Sequence, residues 1–170
     1  MPPGRSEGET LRKRTVVRRT AGKVGCFLLA ALVAWTVARA ASLSISGSWS
    51  RVIGDGDLQA GPGSDLTATY TSATNQVTMG VGAVGNWRVD VRRIDTVWHA
   101  DFTLSIRRTN NGTSGSGTVS GGTTYLPITT VYQAFVTGNR SRMGITLQEQ
   151  LDGVSIAIPP GTYTTTVQYT

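Results

Sequence analysis

Gly161-Thr-Tyr-Thr-Thr-Thr-Val-Gln-Tyr-Thr170 is the stretch that decides the fold class. Tyr163, Thr165, Val167 and Tyr169 occupy every second position, and mostly hydroxyl side chains fill the gaps. Because successive side chains of a strand point to opposite faces, the stretch predicts a strand with one aromatic-aliphatic face. Thr, Val and Tyr also fit a pleated, half-buried surface. Such a strand must join a sheet or leave an exposed edge.

The same alternation recurs along residues 42–170. Apolar side chains fall at every second position in residues 43–49, 77–81, 87–91 and 102–106. Gly, Asn, Asp and Pro separate these segments, and no window has a sustained helical period. Eight to ten short strands are therefore expected. The predicted fold class is all-β, an antiparallel β-sandwich with an immunoglobulin-like character.

Four local predictions follow from turn chemistry. Residues 66–72 are expected to form a Thr-rich strand, and residues 126–136 one further strand with Pro127 at its start. Asp152-Gly153 is typical of a tight hairpin turn, with Val154 to Ile158 as the returning strand. Residues 109–117 are rich in Gly, Ser and Asn, which predicts a mobile surface loop.

The N-terminal segment has the parts of an export signal. Residues 1–23 are polar and basic, and residues 24–38 form an uncharged, mostly apolar run. Ala38-Arg39-Ala40 then places small residues where a signal peptidase requires them. Fifteen helical residues span only about 22 Å, less than the hydrocarbon thickness of a membrane. Residues 1–40 are therefore expected to be a signal peptide that is removed; the alternative is a retained membrane anchor.

The charge distribution argues against nucleic-acid binding. Residues 1–41 hold eight Lys or Arg and two Glu, whereas residues 42–170 hold eight Arg and eight acidic residues. The net charge of +6 thus belongs to the N-terminal segment alone. A neutral body is a poor electrostatic footprint for DNA, RNA or an anionic membrane, so contact with a membrane is expected only through the signal segment.

The sequence predicts no catalytic residue, no metal site and no cofactor. His99 is the only histidine, and the alternative reading, a triad with Asp95 or Asp101, has no supporting motif. Asp55, Asp57 and Asp65 could form a loose calcium site, but their spacing does not match an EF-hand, so a solvated turn is favoured. The aromatic residues that could form a sugar-binding platform are Trp49, Trp87, Trp98, Tyr125 and Tyr132.

An export signal, a Ser/Thr/Gly-rich all-β body and a Pro-Gly-Thr-Tyr-x-x-x-Val-x-Tyr-x terminus together resemble the chaperone–usher fimbrial subunits. The spore coat protein U-like branch is the most similar. The matching positions are Pro160 to Tyr163, Val167 and Tyr169. The chain departs from many such subunits in having no cysteine after Cys26.

The resemblance implies assembly by β-strand donation. Such subunits lack one strand of an immunoglobulin-like fold; a periplasmic chaperone lends it, and the next subunit's N-terminal extension replaces it at an outer-membrane usher. Residues 41–53 would be the extended donor strand, with Leu43, Ile45, Gly47 and Trp49 in the donor row. Residues 54–170 would be the sandwich domain. Tyr163, Val167 and Tyr169 would form the interface of its last strand.

Two functional hypotheses remain open. The first is an exported, non-enzymatic subunit of a surface fibre or coat that assembles with copies of itself. The alternative is a self-contained secreted β-sandwich that binds a carbohydrate or a cell-surface ligand. The hypotheses differ in residues 41–53, which pair in trans in a polymer and in cis in a binding module.

Overall fold

A computed structural model describes residues 41–170, so the predicted signal peptide, residues 1–40, lies outside the described residues. The described part is all-β, apart from one 3₁₀ turn at Asp55–Asp57. Its ten strands are β1 Ser42–Ser46, β2 Tyr70–Thr71, β3 Val77–Gly82, β4 Asn86–Val97, β5 Thr103–Arg108, β6 Thr118–Gly121, β7 Leu126–Pro127, β8 Gln133–Asn139, β9 Arg142–Asp152 and β10 Thr164–Tyr169. The predicted all-β class and number of strands are confirmed.

The strands form two antiparallel sheets. The first has six strands in the order β1-β3-β9-β5-β7, and β2 pairs with β9 beside the end of β3. The second has four strands in the order β10-β4-β8-β6. The edge strands are therefore β1, β7 and the two-residue β2 in the first sheet, and β10 and β6 in the second.

The inner faces of both sheets form the main core. Met79, Ile106, Ile145 and Leu147 of the first sheet are fully buried, as are Val91 and Val136 of the second. These side chains follow the period-2 pattern of their strands, which is why the sequence predicts this layer well. A second cluster, Tyr70, Phe102 and Val154, packs with Trp49, Trp98 and Tyr163.

The predicted hairpin at Asp152-Gly153 is wrong. Gly153 does adopt a positive φ of +83°, but no strand forms between it and β10. Both edges of β9 are already occupied near its end, since Leu151 pairs with Tyr70 and Asp152 pairs with Thr103. The chain after Gly153 therefore cannot pair with β9; the Val154 N–H donates instead to the Ala68 carbonyl at 3.2 Å, and Ile156 is exposed.

Two other local predictions need correction. The expected strand at residues 66–72 is reduced to β2, and the expected strand at 126–136 is two strands, β7 and β8, that belong to different sheets. Residues 109–117 lie at the surface as expected, and their mobility stays a prediction; the Arg142 guanidinium donates to the carbonyls of Asn111, Gly112 and Gly115. One arginine distant in sequence thus satisfies three loop carbonyls.

Candidate functional site: an apolar groove between two edge strands

The two sheets leave a groove open between β1 and β10. Within the described residues, β1 pairs only with β3 and β10 only with β4, and no hydrogen bond joins β1 to β10. The groove has a volume of about 680 Å³. Its lining includes Leu43 and Ile45 from β1, Val81 from β3, Trp87 and Val89 from β4, and Val167 and Tyr169 from β10.

The floor of the groove is the main core itself. Val81, Trp87 and Val89 belong to that core and are at most 8% exposed. The walls are less covered, since Ile45 is 37% exposed and Leu43 is half-buried. An apolar floor between two free backbone edges can accept an extended chain, because each edge offers unpaired N–H and C=O groups.

In the structure, the predicted donor residues belong to two parts of their own chain: two lie in the edge strand β1 and two follow it. Leu43 pairs with Val81 and Ile45 with Met79, so β1 is an edge strand of its own chain. Gly47 has a φ of +110°, and a Cβ there would lie 2.3 Å from the Gln76 carbonyl oxygen. This close turn ends the strand at Ser46, and Trp49 packs against the core clusters. The strand predicted over residues 43–49 is thus shorter than expected, and its exchange between copies stays a prediction.

The C-terminal residues are also divided between two places. Val167 and Tyr169 lie in β10, pack against the main core and line the groove. Tyr163 precedes the strand and joins the second cluster, with its ring centroid 5.0 Å from that of Phe102 and its hydroxyl donating to the Pro159 carbonyl at 2.8 Å. The groove therefore brings together Leu43, Ile45, Val167 and Tyr169, while Gly47, Trp49 and Tyr163 lie outside it.

Glu149 is a core residue that the sequence reasoning missed. It lies on β9 in the same phase as Leu147 and Leu151, is 7% exposed, and its Oε2 has no hydrogen-bond partner in the described part of the chain. Burial raises the pKa of Glu149. Burial, followed by the negative charge of Glu149, raises the pKa of Tyr169, whose hydroxyl is also unpartnered among residues 41–170. The sequence signal for a buried Glu149 was its position between Leu147 and Leu151 in the apolar alternation of the strand.

Most of the residues considered for catalysis and calcium binding lie in turns and loops. His99 Nδ1 accepts the Asp101 backbone N–H at 3.3 Å and lies 3.6 Å from an Asp101 carboxylate oxygen, and the His99 ring packs near Phe102 and Tyr163. The Asp57 carboxylate accepts the Gly54 N–H at 3.0 Å and pairs with Arg51. The Gly54 hydrogen bond, and then the Arg51 charge, lower the pKa of Asp57.

Asp65 forms hydrogen bonds that hold the segment after Gly153 against the loop that contains Asp65. Its carboxylate accepts the backbone N–H groups of Leu66 and Ile156 at 2.8 and 2.9 Å, and it also contacts the Ser155 hydroxyl. These hydrogen bonds lower the pKa of Asp65, and the one from the Ile156 N–H has the largest effect. Across residues 41–170, no group of three His, Cys, Asp or Glu side chains lies close enough to hold a metal ion.

The five aromatic residues considered for sugar binding are dispersed. Trp49, Trp87 and Trp98 pack in or against the core. Tyr125 lies under Arg107 of the first sheet, and Tyr132 lies under Arg92 of the second.

Comparisons with protein-family models, with curated proteins and with solved structures found no match to this chain. Among the described residues, no helix has the length and apolar character needed to cross a membrane.

Proposed function

We propose that this chain is an exported, non-enzymatic structural subunit that assembles into a surface fibre or coat by β-strand addition between copies. The observation that carries the proposal is the apolar groove between β1 and β10. Strand addition needs two things, a free backbone edge and pockets for alternate side chains. The groove offers the free edge of β10 together with a floor of Val81, Trp87 and Val89.

In the proposed assembly, residues 41–53 of one copy add alongside β10 of the next. The β1 strand suits exchange because it is weakly held: within β1, only Leu43 packs against the main core, and the other four residues are exposed. A donated strand of six residues would cover about 20 Å, which matches the length of β10, Thr164–Tyr169. Head-to-tail addition is a heterologous contact, and such contacts build open filaments.

Export, a periplasmic chaperone and an outer-membrane usher belong to the same proposal. An unfilled groove exposes apolar surface before assembly, and a transient strand from a chaperone would cover it. The non-enzymatic assignment is supported by the environment of His99, which packs in an aromatic cluster.

A disulfide trap tests exchange between copies. In a Cys26→Ser background, one variant carries Ile45→Cys on the proposed donor, and a second carries Val167→Cys on the proposed acceptor. Mixing and oxidising the two should give a mixed disulfide, identified by mass spectrometry, because neither copy holds both thiols. A control mixture replaces Val167→Cys with Thr118→Cys on the distant edge strand β6 and should give little of it. Equal yields in the two mixtures would contradict the proposal.

Truncation tests the same mechanism without introduced cysteines. Residues 41–170 should form fibres or multimers in light scattering and negative-stain microscopy. Residues 54–170 should remain unassembled and bind a peptide of residues 43–53. If residues 41–170 stay monomeric at all concentrations while 54–170 fails to fold, β1 is only an intramolecular strand.

A second candidate function is a self-contained secreted binding module for a carbohydrate or a cell-surface ligand. The observation that favours it is the pairing of β1 with its own β3 across five residue pairs. A monomeric result in the truncation experiment would select this function.

A further inference from the structure

A second cavity lies at the end of β5 and shares no lining residue with the groove between β1 and β10. Its volume is about 570 Å³. Its lining consists of two arginines, one asparagine and four threonines: Arg107, Arg108, Asn110, Thr74, Thr109, Thr123 and Thr146. No acidic residue lines it, although residues 42–170 hold equal numbers of acidic and basic residues.

Arg108 is a buried charge without an acidic partner. It continues the inward phase of Leu104 and Ile106 on β5 and is 7% exposed. Its Nε donates to the Gly121 carbonyl at 2.9 Å, and its Nη1 donates to the Asn110 carbonyl at 2.8 Å and to the Asn111 side chain. All these acceptors are neutral. Within the described residues Arg108 forms no ion pair, and its Nη2 has no hydrogen-bond partner.

Arg107 is held in place by neutral groups as well. Its Nε and Nη2 both donate to the Gln148 side-chain oxygen, at 2.9 and 2.7 Å. Its guanidinium carbon lies 4.6 Å from the ring centroid of Tyr125. The Arg107 guanidinium is thus held in one orientation before any ligand binds, and its Nη1 makes no hydrogen bond to residues 41–170. A guanidinium held in this way loses little conformational entropy when it binds an anion.

Asn110 adds a donor to the same cavity. Its side-chain oxygen accepts the backbone N–H groups of Gly112 and Thr146, each at 2.9 Å. These two bonds fix the orientation of the amide, so that its NH₂ group is the part without a partner among the described residues. Because neighbouring side chains of a strand point to opposite faces of its sheet, the Arg107 and Arg108 guanidiniums do not leave β5 on the same face. The cavity therefore offers one pre-oriented guanidinium, that of Arg107, and an amide donor, while the buried Arg108 adds uncompensated positive charge at the same end of β5.

We propose that this cavity binds an oxyanion, such as a carboxylate, sulfate or phosphate group, carried on a small sugar. Guanidinium groups recognise oxyanions through charge-assisted hydrogen bonds, and no carboxylate in the lining competes with the ligand. The cavity has a volume of about 570 Å³ and is open to solvent, so the rest of a sugar can extend out of it. The Thr109 and Thr146 hydroxyls bond each other at 2.6 Å, whereas those of Thr74 and Thr123 make no hydrogen bond within the described residues and suit the hydroxyl groups of a sugar. This inference does not rest on the proposed assembly function.

Calorimetric titration of the purified full chain tests the site with four probes: galacturonate, neutral galactose, inorganic sulfate and inorganic phosphate. Galacturonate should bind, galactose should not, and the affinity should fall as salt is added. Binding of sulfate or phosphate as tightly as galacturonate would support the oxyanion site and assign it to a free anion. Binding of galactose as tightly as galacturonate, or no binding of any anion, would overturn the proposal.

Variants locate the site. Arg107→Gln should weaken anion binding about tenfold, the effect of one lost charge-assisted hydrogen bond. The matched control is Arg88→Gln, which removes an exposed arginine of β4 that does not line the cavity. Because Arg108 is buried and replacing it is expected to destabilise the fold, Arg107 carries the test, with circular dichroism to verify folding. Equal affinity in Arg107→Gln and Arg88→Gln would place the binding site elsewhere and overturn the proposal.

Discussion

The two lateral sides of the sandwich differ in how the sheets are joined. On the closed side, between β7 and β6, Arg108 reaches from the first sheet to the Gly121 carbonyl of the second, and its own backbone N–H donates to the Gly122 carbonyl. Ile128 is buried there, and its N–H donates to the Leu104 carbonyl at 2.8 Å. On the open side, among the described residues, no hydrogen bond crosses between β1 and β10.

The two sides also differ in how readily another chain can be added to them. Pro127 removes an N–H from the edge strand β7, and β7 is only two residues long, both of which discourage pairing. The edge strand β10 is six residues long and has no proline. The chain thus protects one side against strand addition and leaves the other available, which is the arrangement that the proposed assembly needs.

The largest expected effect comes from a matched pair of Ile→Ala substitutions. Ile128→Ala on the closed side should lower the free energy of unfolding by about 3 kcal/mol, because it leaves a cavity in a packed core. Ile45→Ala on the open side should lower it by less than about 1 kcal/mol, because Ile45 is already 37% exposed. Urea unfolding of the unassembled protein measures both. Similar losses would mean that the two sides are equally packed.

A second prediction concerns the buried carboxylate of Glu149 on β9, which has no hydrogen-bond partner for its Oε2 among the described residues. Because burial raises the pKa of Glu149 in the folded state above its ordinary value near 4.5, the folded protein binds a proton that the unfolded chain has released. The contribution of Glu149 to the free energy of unfolding should therefore be most favourable below pH 4.5. It should become less favourable as the pH rises towards the folded-state pKa of Glu149. Glu149→Gln should remove this dependence and stabilise the protein at pH 7 by about 1–2 kcal/mol.

Thermal unfolding across pH 4 to 8 measures this effect. The matched control adds Gln150→Glu to the Glu149→Gln variant, which moves the carboxylate to the next position of the same strand, in the outward phase, where Gln150 is half-buried. The control should not reproduce the pH dependence of Glu149. If Glu149→Gln instead destabilises the protein at pH 7, the carboxylate has a partner in solution that compensates its burial.

The layers of the sandwich could be predicted from sequence because they follow the alternation of side chains. Trp87, Val89 and Val91 lie in the core as their phase indicates. What alternation does not encode is which strand edges are already occupied. Asp152-Gly153 has a good hairpin sequence, yet the expected hairpin fails because β2 and β5 pair with both edges of β9.

The candidate site was predicted only in part for a similar reason. Leu43, Ile45, Val167 and Tyr169 meet at the groove because they alternate within the strands that contain them. Gly47 could not be read as the end of β1, since its turn depends on a close approach to Gln76, 29 positions away in sequence. Glu149 and Arg108 were missed because charged residues in an apolar phase are rarely core residues without a partner.

The smallest effect on stability is expected from a charge placed in the groove. Ile45→Lys should change the free energy of unfolding by only about 0.5 kcal/mol, yet it should prevent assembly, because an added strand would bury the unpaired lysine charge in the apolar groove. The matched control, Ser46→Lys, adds the same charge to the next residue of β1, which does not line the groove. Light scattering should detect multimers of Ser46→Lys and only monomers of Ile45→Lys. If both variants assemble equally, the open side is not the site of strand addition, because a charge on the apolar wall of the groove would then have no more effect than one outside it.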